Sequence, residues 1–278
     1  KFNLPIITYI CDEYYFVKKK GGVLKHIQLF SLHRKIRKLL NNSKHIITIC
    51  QELQDAYARE FNAPITTIMT GSNYPIAKTV EEKKEVNSIS YLGNIRCNRF
   101  NSLAEIGQAL DKLNTELGSD YKLKIYTSEN NEEILDKLRV AKSIELCGFI
   151  VGDEFKRTLD SADLLLHTEA FDEESIDYVK HSVSTKIADS LGSGVCLLAY
   201  GPSNVASMQH LIRNGCALIA TSKEELPLML GKAFTDMQTI KGVAFMGLNT
   251  AKEFHDCLKT SQQLHLIMES IHESIANK

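Results

Sequence analysis

Short apolar runs alternate with longer stretches of helical periodicity through most of the 278 residues. That alternation restricts the chain to parallel sheets covered by helices, because parallel strands need a crossover of a dozen residues or more. In the first part, strands are predicted at Ile6–Ile10, His45–Ile49 and Ile65–Met69, with helices over Val23–Leu40 and Gln51–Phe61. From Thr70 to Asn87 the pattern breaks: Gly71, Ser72, Asn73 and Pro75 signal a turn, and Glu81–Glu85 is a solvated charge run. A second series follows, with strands at Ser88–Leu92, Leu123–Tyr126, Ser143–Cys147, Leu164–His167, Val195–Ala199 and Ala217–Ala220. Helices over Ser102–Leu117, Glu132–Val140, Asp153–Leu159, Lys186–Leu191 and Lys223–Leu230 separate them, and Asp256–Ser274 closes the chain.

Six strands with crossovers make a complete doubly wound, Rossmann-like domain, whereas the first 80 residues make about half of one. The expected organisation is a partial N-terminal domain over 1–80, a ligand-binding domain over 81–255 and a helix over 256–278 packing back on the N-terminal domain. The chain opens on Lys1-Phe2-Asn3 without an initiator Met, so the partial domain is read as truncated.

Composition narrows the function classes. A net charge of −1 gives no general attraction to nucleic acid. The seven cysteines, none in a Cys-x-x-Cys pair, mostly sit in apolar runs and read as reduced thiols of a cytoplasmic protein. No apolar run approaches 18 residues.

In an open parallel sheet, ligands bind at the carboxyl ends of the strands, and three loops there stand out. The first is Tyr91-Leu92-Gly93-Asn94-Ile95-Arg96-Cys97-Asn98-Arg99. Gly93 permits a close backbone approach, and Arg96 or Arg99 could clamp a diphosphate; a surface turn with solvated arginines reads equally well. The second, Cys147-Gly148-Phe149-Ile150, offers backbone to a nucleobase edge and Phe149 or Ile150 to its face, or is a glycine turn with a buried Phe. The third runs from Ser182 to Gly194. Ser184 and Thr185 are good N-cap residues, the helix N-terminus favours phosphate, and Lys186 adds a cation. Asp189, one turn on, is placed to accept ribose hydroxyls, unless the segment is an ordinary capped helix with an exposed Lys–Asp pair.

The order and spacing of these loops resemble the C-terminal domain of GT-B glycosyltransferases, specifically the retaining family 4-like group. The resemblance covers about residues 85–255, and 1–80 more weakly. That family's strand ends in Gly-Arg-x4-Lys, whose cations contact the donor diphosphate; here the run reads Gly93-Asn94-x4-Arg99, placing Arg99 on the Lys position and Asn94 on that of the Arg. The family's Glu-x7-Glu falls on His181 and Asp189. Asp189 keeps the carboxylate and with it the ribose role, while His181 departs at the sugar-contacting position. Ser182-Val183-Ser184-Thr185-Lys186 is similar to the Ser-x-Pro-Thr-Lys run of capsule- and exopolysaccharide-type relatives.

The resemblance implies a retaining sugar transfer from a UDP- or GDP-sugar to a glycan or lipid-linked acceptor, with Arg99 and Lys186 stabilising the departing diphosphate. It implies no metal and no cofactor besides the donor. Asp12, at the end of the first strand, is either a sugar contact or a solvated strand end. The acidic stretch Thr168–Lys180 is read as a mobile surface loop, or as the source of a carboxylate replacing the one missing at His181. Two other readings share the architecture: a GT-B-fold nucleotide-sugar epimerase, and a nucleotide-binding module without activity.

One further segment carries a pattern. Between Tyr14 and Gln51 there is no Asp or Glu but nine Lys or Arg, among them Lys18, Lys19, Lys20, Arg34, Lys35, Arg37, Lys38 and Lys44. With Ile27 and Phe30 interleaved, residues 18–44 suit peripheral contact with the inner face of an anionic membrane, or form a solvated basic helix face.

Overall fold

The structure, a computed structural model, describes residues 4–13, 15–16, 23–80 and 83–276, without the side chains of 23–25 and 275. Lys18, Lys19, Lys20, Glu81 and Glu82 lie outside that description. The first sheet is parallel, ordered β1-β2-β3, from Ile6–Ile10 (β1), Ser43–Thr48 (β2) and Ile65–Thr67 (β3). Helices Val23–Asn41 (α1) and Gln51–Ala58 (α2) provide its crossovers. Its core, Leu40, Ile46, Leu53, Tyr57 and Phe61, closes against Ala206 of the second unit.

The second sheet holds Ser88–Leu92 (β4), Lys122–Tyr126 (β5), Ile144–Gly148 (β6), Leu164–Thr168 (β7), Leu197–Tyr200 (β8) and Leu218–Ala220 (β9). All are parallel, in the order β6-β5-β4-β7-β8-β9. Central β4, β7 and β8 are buried at every position, which is why Leu164-Leu165-Leu166 reads as an unbroken apolar run rather than an alternation. Edge strand β6 alternates and exposes Glu145.

Helices cover both faces. On one, Leu103, Ile106 and Leu110 of Arg99–Leu117 (α3) pack with Leu226 and Leu230 of Leu226–Thr235 (α9), and Leu138 of Glu132–Arg139 (α4) joins them. On the other, Leu159 of Gly152–Ser161 (α5) packs with Val179 of Glu173–Val179 (α6). Ile187 and Leu191 of Thr185–Gly192 (α7) and Leu211 of Ala206–Asn214 (α8) complete that face. Met237–Phe254 (α10) and Cys257–Ala276 (α11) end the chain.

Several elements differ from the sequence expectation. The acidic stretch 168–180 is not a loop throughout: Asp172 accepts from Ser175 N and caps α6, and Val179 anchors it in the core. Helices α8 and α10 escape a periodicity search because the buried Ser207 and Gly247 interrupt their apolar stripes. Strand β8 begins two residues late, since Gly194 at φ 76° still belongs to the turn.

The connector between the sheets is held to the second unit at several points. Ala77 N donates to Gly192 O at 2.7 Å, Ser72 N to His255 O at 2.8 Å, and Cys257 Sγ to Ser72 O at 3.2 Å. His255 Nδ1 lies 2.8 Å from Thr70 O, and its Nε2 lies 3.2 Å from His210 Nε2. His255 donating to the carbonyl and accepting from His210 satisfies both rings as neutral imidazoles. Burial holds both below the usual histidine range, His210 down to about 3.

Candidate functional site

Strands β4 and β7 are neighbours although β4 connects to β5, so the strand order reverses between them and a crevice opens at their carboxyl ends. Out of β4 the chain reaches α3 through Cys97 and Asn98, at φ 54° and 55°. Two successive non-glycine residues in the left-handed region are costly, and such geometry persists where surrounding contacts enforce it. Asn98 Nδ2 donates to Asp172 Oδ2 at 3.2 Å, tying this loop to the one after β7.

The turn delivers Arg99 opposite Glu169, the first residue past β7. Arg99 Nε donates to Glu169 Oε2 at 2.8 Å and Nη2 to Oε1 at 3.1 Å, a bidentate pair across the switch point. The Glu169 side chain is 2% exposed and that of Arg99 16%. Burial works against the guanidinium charge, but Glu169 more than offsets it and raises the Arg99 pKa. The remaining Nη1 donates to Asn94 Oδ1 at 3.3 Å. His167 Nε2 lies 3.5 Å from Glu169 Oε1 with no hydrogen-bond partner, and burial lowers the His167 pKa to about 4.

Helix α7 points its N-terminus at the same crevice. Ser184 occupies the N-cap position, but its hydroxyl makes no capping bond. The first-turn N–H groups therefore lack the side-chain acceptor that usually satisfies one of them. The Lys186 side chain crosses Gly93: a Cβ built on Gly93 would stand 3.0 Å from Lys186 Cε and 3.1 Å from Nζ. The close approach that Gly93 permits is thus made by a lysine of the same chain. Burial, and then the neighbouring Arg99 charge, lower the Lys186 pKa. A cation held at such a disadvantage gains from a bound anion, and an uncapped helix N-terminus adds to that gain.

Beyond β6, Gly148 at φ 78° and Gly152 at φ 59° fold the loop so that Phe149, 65% exposed, stands at the rim of the crevice. Tyr74 of the connector stacks on Phe155 of α5, with ring centroids 5.9 Å apart.

These loops enclose a cavity of about 450 Å³ lined by Gly93, Asn94, Phe149, Thr185, Lys186 and Asp189, together with Asn73 and Tyr74. A second of about 250 Å³, lined by Arg99, His167, Glu169 and Ser184, shares Asn94, Thr185 and Lys186 with it. A third, of about 600 Å³, lies at the opposite end of the sheet beside Gly194 and Val195. It is remote from the switch point.

Of the residues singled out in sequence, Gly93, Asn94, Arg99, Phe149, Ile150, Ser184, Thr185, Lys186 and Asp189 meet at the two adjoining cavities. Arg96 is exposed and lines neither, and Gly148 only turns its loop. Asp12 is exposed outside both; the next residue, Glu13, is the engaged carboxylate, accepting from Phe16 N at 2.7 Å. His181 lines neither cavity: its ring lies 6.5 Å from that of Phe16 in the first unit, and burial lowers its pKa. The Lys–Asp pair of α7 is not a solvated one. Asp189 is 5% exposed and accepts from Ser72 Oγ at 3.0 Å, Asn73 N at 2.7 Å and Asn73 Nδ2 at 3.0 Å.

Glu169, placed in sequence on a surface loop, is instead buried against Arg99, with both oxygens accepting from the guanidinium. His167, Asn73, Tyr74 and Phe155 were not singled out. Only His167 carries a local signal, as the polar residue ending an apolar strand. Among the described residues no group of three His, Cys, Asp or Glu is arranged to hold a metal ion, and no helix is long and apolar enough to cross a membrane.

No protein-family model and no curated protein matches this sequence. Solved structures do match in fold. Anabaena HepE, crystallised with UDP and glucose, superposes with TM-score 0.67 at 14% identity, over 96% of this chain and 72% of its own. The sucrose-phosphate synthase of Thermosynechococcus elongatus gives TM-score 0.67 at 12% identity, over 99% and 69%. WaaG, a glycosyltransferase of lipopolysaccharide biosynthesis, gives 0.61 at 14%, over 90% and 71%. The fold is the mixed α/β, two-unit Rossmann-like arrangement of GT-B glycosyltransferases, as the loop order led us to expect. The chain spans about seven-tenths of each of these structures.

Proposed function

We propose that this protein binds a nucleoside diphosphate-linked sugar and transfers the sugar, with retention, to a glycan or lipid-linked acceptor, as a family 4-like transferase of capsule or exopolysaccharide type. The observation that carries the reading is one cavity at the switch point. It combines an uncapped helix N-terminus, the lysine across Gly93 and an aromatic rim at Phe149. The base would lie against Phe149 and the ribose near Asp189. The diphosphate would lie between the N-terminus of α7, Lys186 and the free edge of Arg99. In the transfer, the bond from the sugar's anomeric carbon to the diphosphate oxygen breaks and its electron pair stays on the diphosphate. A hydroxyl of the acceptor forms the new bond and releases its proton. Prepositioned cations and N–H donors stabilise the charge that develops on the departing diphosphate. The UDP bound in HepE and the sugar chemistry named for sucrose-phosphate synthase and WaaG favour this reading.

In the proposed division of labour, residues 1–80 form the acceptor side, 81–255 the donor domain, and 256–278 a helix returning toward the first unit. The exposed Ile27 and Phe30 of α1, beside Arg34, Lys35 and Lys38, would rest on an anionic membrane surface.

A second reading has its own support. No described residue before Asn73 lines either cavity, so the described part of the first sheet and its helices adds no contact there, which suits a nucleotide-binding module without turnover. Release of UDP or GDP from UDP-glucose, UDP-N-acetylglucosamine and GDP-mannose distinguishes the two. Turnover of any one supports the transferase; binding without turnover supports the module.

A further inference from the structure

Resting on the reading of Asp189 as a ribose ligand, we infer that Asn73 is a positioning residue that competes with the nucleotide for Asp189, so that seating the ribose unlatches the connector between the two units. Access to the carboxylate is what limits the ribose. Asp189 is 5% exposed, and the connector covers both of its oxygens. Asn73 N donates to Oδ1 and Asn73 Nδ2 to Oδ2, while the single Ser72 hydroxyl proton is shared between Oδ1, at 3.0 Å, and Tyr74 O, at 2.9 Å. Two vicinal ribose hydroxyls reach this pair of oxygens only where a donor of the connector steps aside.

Of the three donors, the Asn73 side-chain amide is the one that gives way. It is the only one on Oδ2, and it ends a rotatable side chain of a residue that itself lines the cavity. Asn73 N is fixed by the backbone. Ser72 is held on both sides, its N–H by His255 O and its carbonyl by Cys257 Sγ. Tyr74 follows directly and stacks on Phe155, so a shift at Asn73 reaches the wall of the nucleotide cavity. Two groups that bind the same carboxylate in turn are linked reciprocally: the ligand loosens the connector, and a loosened connector tightens the ligand.

The tests use the whole chain with UDP and 2′-deoxy-UDP as probes. In calorimetry, Asn73→Ala is expected to bind UDP about 3- to 10-fold more tightly than the unmodified protein, the worth of one competing hydrogen bond removed. Its preference for UDP over 2′-deoxy-UDP should widen by a similar factor. A residue that only orients Asp189 would give the opposite sign. Hydrogen exchange on the unmodified protein supplies a readout without mutation: amides of residues 70–77 should exchange faster when UDP is added. Unmodified protein that binds UDP, with slower or unchanged exchange there and weaker or equal binding by Asn73→Ala, overturns the latch and leaves the nucleotide reading standing. Absence of binding to both probes overturns the nucleotide reading and the latch with it.

Discussion

The Arg99–Glu169 pair can be dissected by a double-mutant cycle on stability. Both charges line the smaller cavity and are withdrawn from water, but unequally: the Glu169 side chain is 2% exposed and that of Arg99 16%. Removing one partner of a buried pair leaves the other uncompensated, at about 3–5 kcal/mol. Arg99→Ala should cost the full amount, because the Glu169 carboxylate, 2% exposed, stays buried when its partner is removed. Glu169→Ala should cost less, about 2 kcal/mol, because the guanidinium can swing into the cavity and keep part of its hydration. The double variant should be no less stable than Arg99→Ala, since it buries no unpaired charge, so the coupling energy is at least about 2 kcal/mol. Urea unfolding at neutral pH measures all four corners. Single costs near zero that add in the double variant would refute the claim of a desolvated, mutually dependent pair. The cycle also carries a signature on His167, whose pKa is held near 4 by burial and by Arg99 against the pull of Glu169. In Arg99→Ala that repulsion is gone and Glu169 is unpaired, so an NMR titration should find the His167 pKa raised.

Acid should weaken the fold before any carboxylate titrates. His167 and His210 are depressed in the folded state to about 4 and about 3. Their stabilisation is therefore complete above the unfolded histidine pKa, near 6.5, and is lost as pH falls below it, by about 2 kcal/mol for each at pH 5. A melting temperature unchanged between pH 7 and pH 5 would count against both. Lys186→Ala should lower UDP affinity roughly 10- to 100-fold through a lost charged hydrogen bond. UDP affinity of the unmodified protein should fall as pH rises through the lowered Lys186 pKa, since the protonated form binds; a Lys186→Ala variant with unchanged Kd excludes that lysine from the phosphate site. Gly93→Ala should displace the Lys186 side chain and weaken UDP binding about as much, with little change in melting temperature. Equal affinity would show that the crossing of Gly93 is immaterial. Charge reversal at Arg34, Lys35 and Lys38 should abolish sedimentation with anionic liposomes, and full retention would exclude α1 as the contact.

Periodicity recovered the fold where local pattern and tertiary demand agree. Leu164-Leu165-Leu166 is apolar throughout because β7 is central, and Ser88–Leu92 was bounded correctly because a polar loop precedes it and Gly93 follows. Helix α6 escapes because its determinant is a cap, Asp172 to Ser175 N, and α8 and α10 because small or polar residues interrupt their stripes. At the site, Gly93, Ser184 and Lys186 were legible as cavity residues because their signals are local: a small residue, an N-cap position and a lysine in the first turn of a helix. The partners of Arg99 and Asp189 were not. Glu169 lies 70 residues from Arg99, and Asn73 lies 116 from Asp189. Only the β4–β7 adjacency and the path of the connector bring them together. Burial removes the alternative reading of Asp189 as half of an exposed Lys–Asp pair, and it reverses the surface placement of Glu169.

Calorimetric titration of the whole chain with UDP and with GDP tests most directly whether the switch-point cavity is a nucleoside diphosphate site. The account predicts saturable one-to-one binding of at least one of them, lost or strongly weakened in Lys186→Ala. Absence of heat with both ligands, or binding that Lys186→Ala leaves untouched, would contradict it.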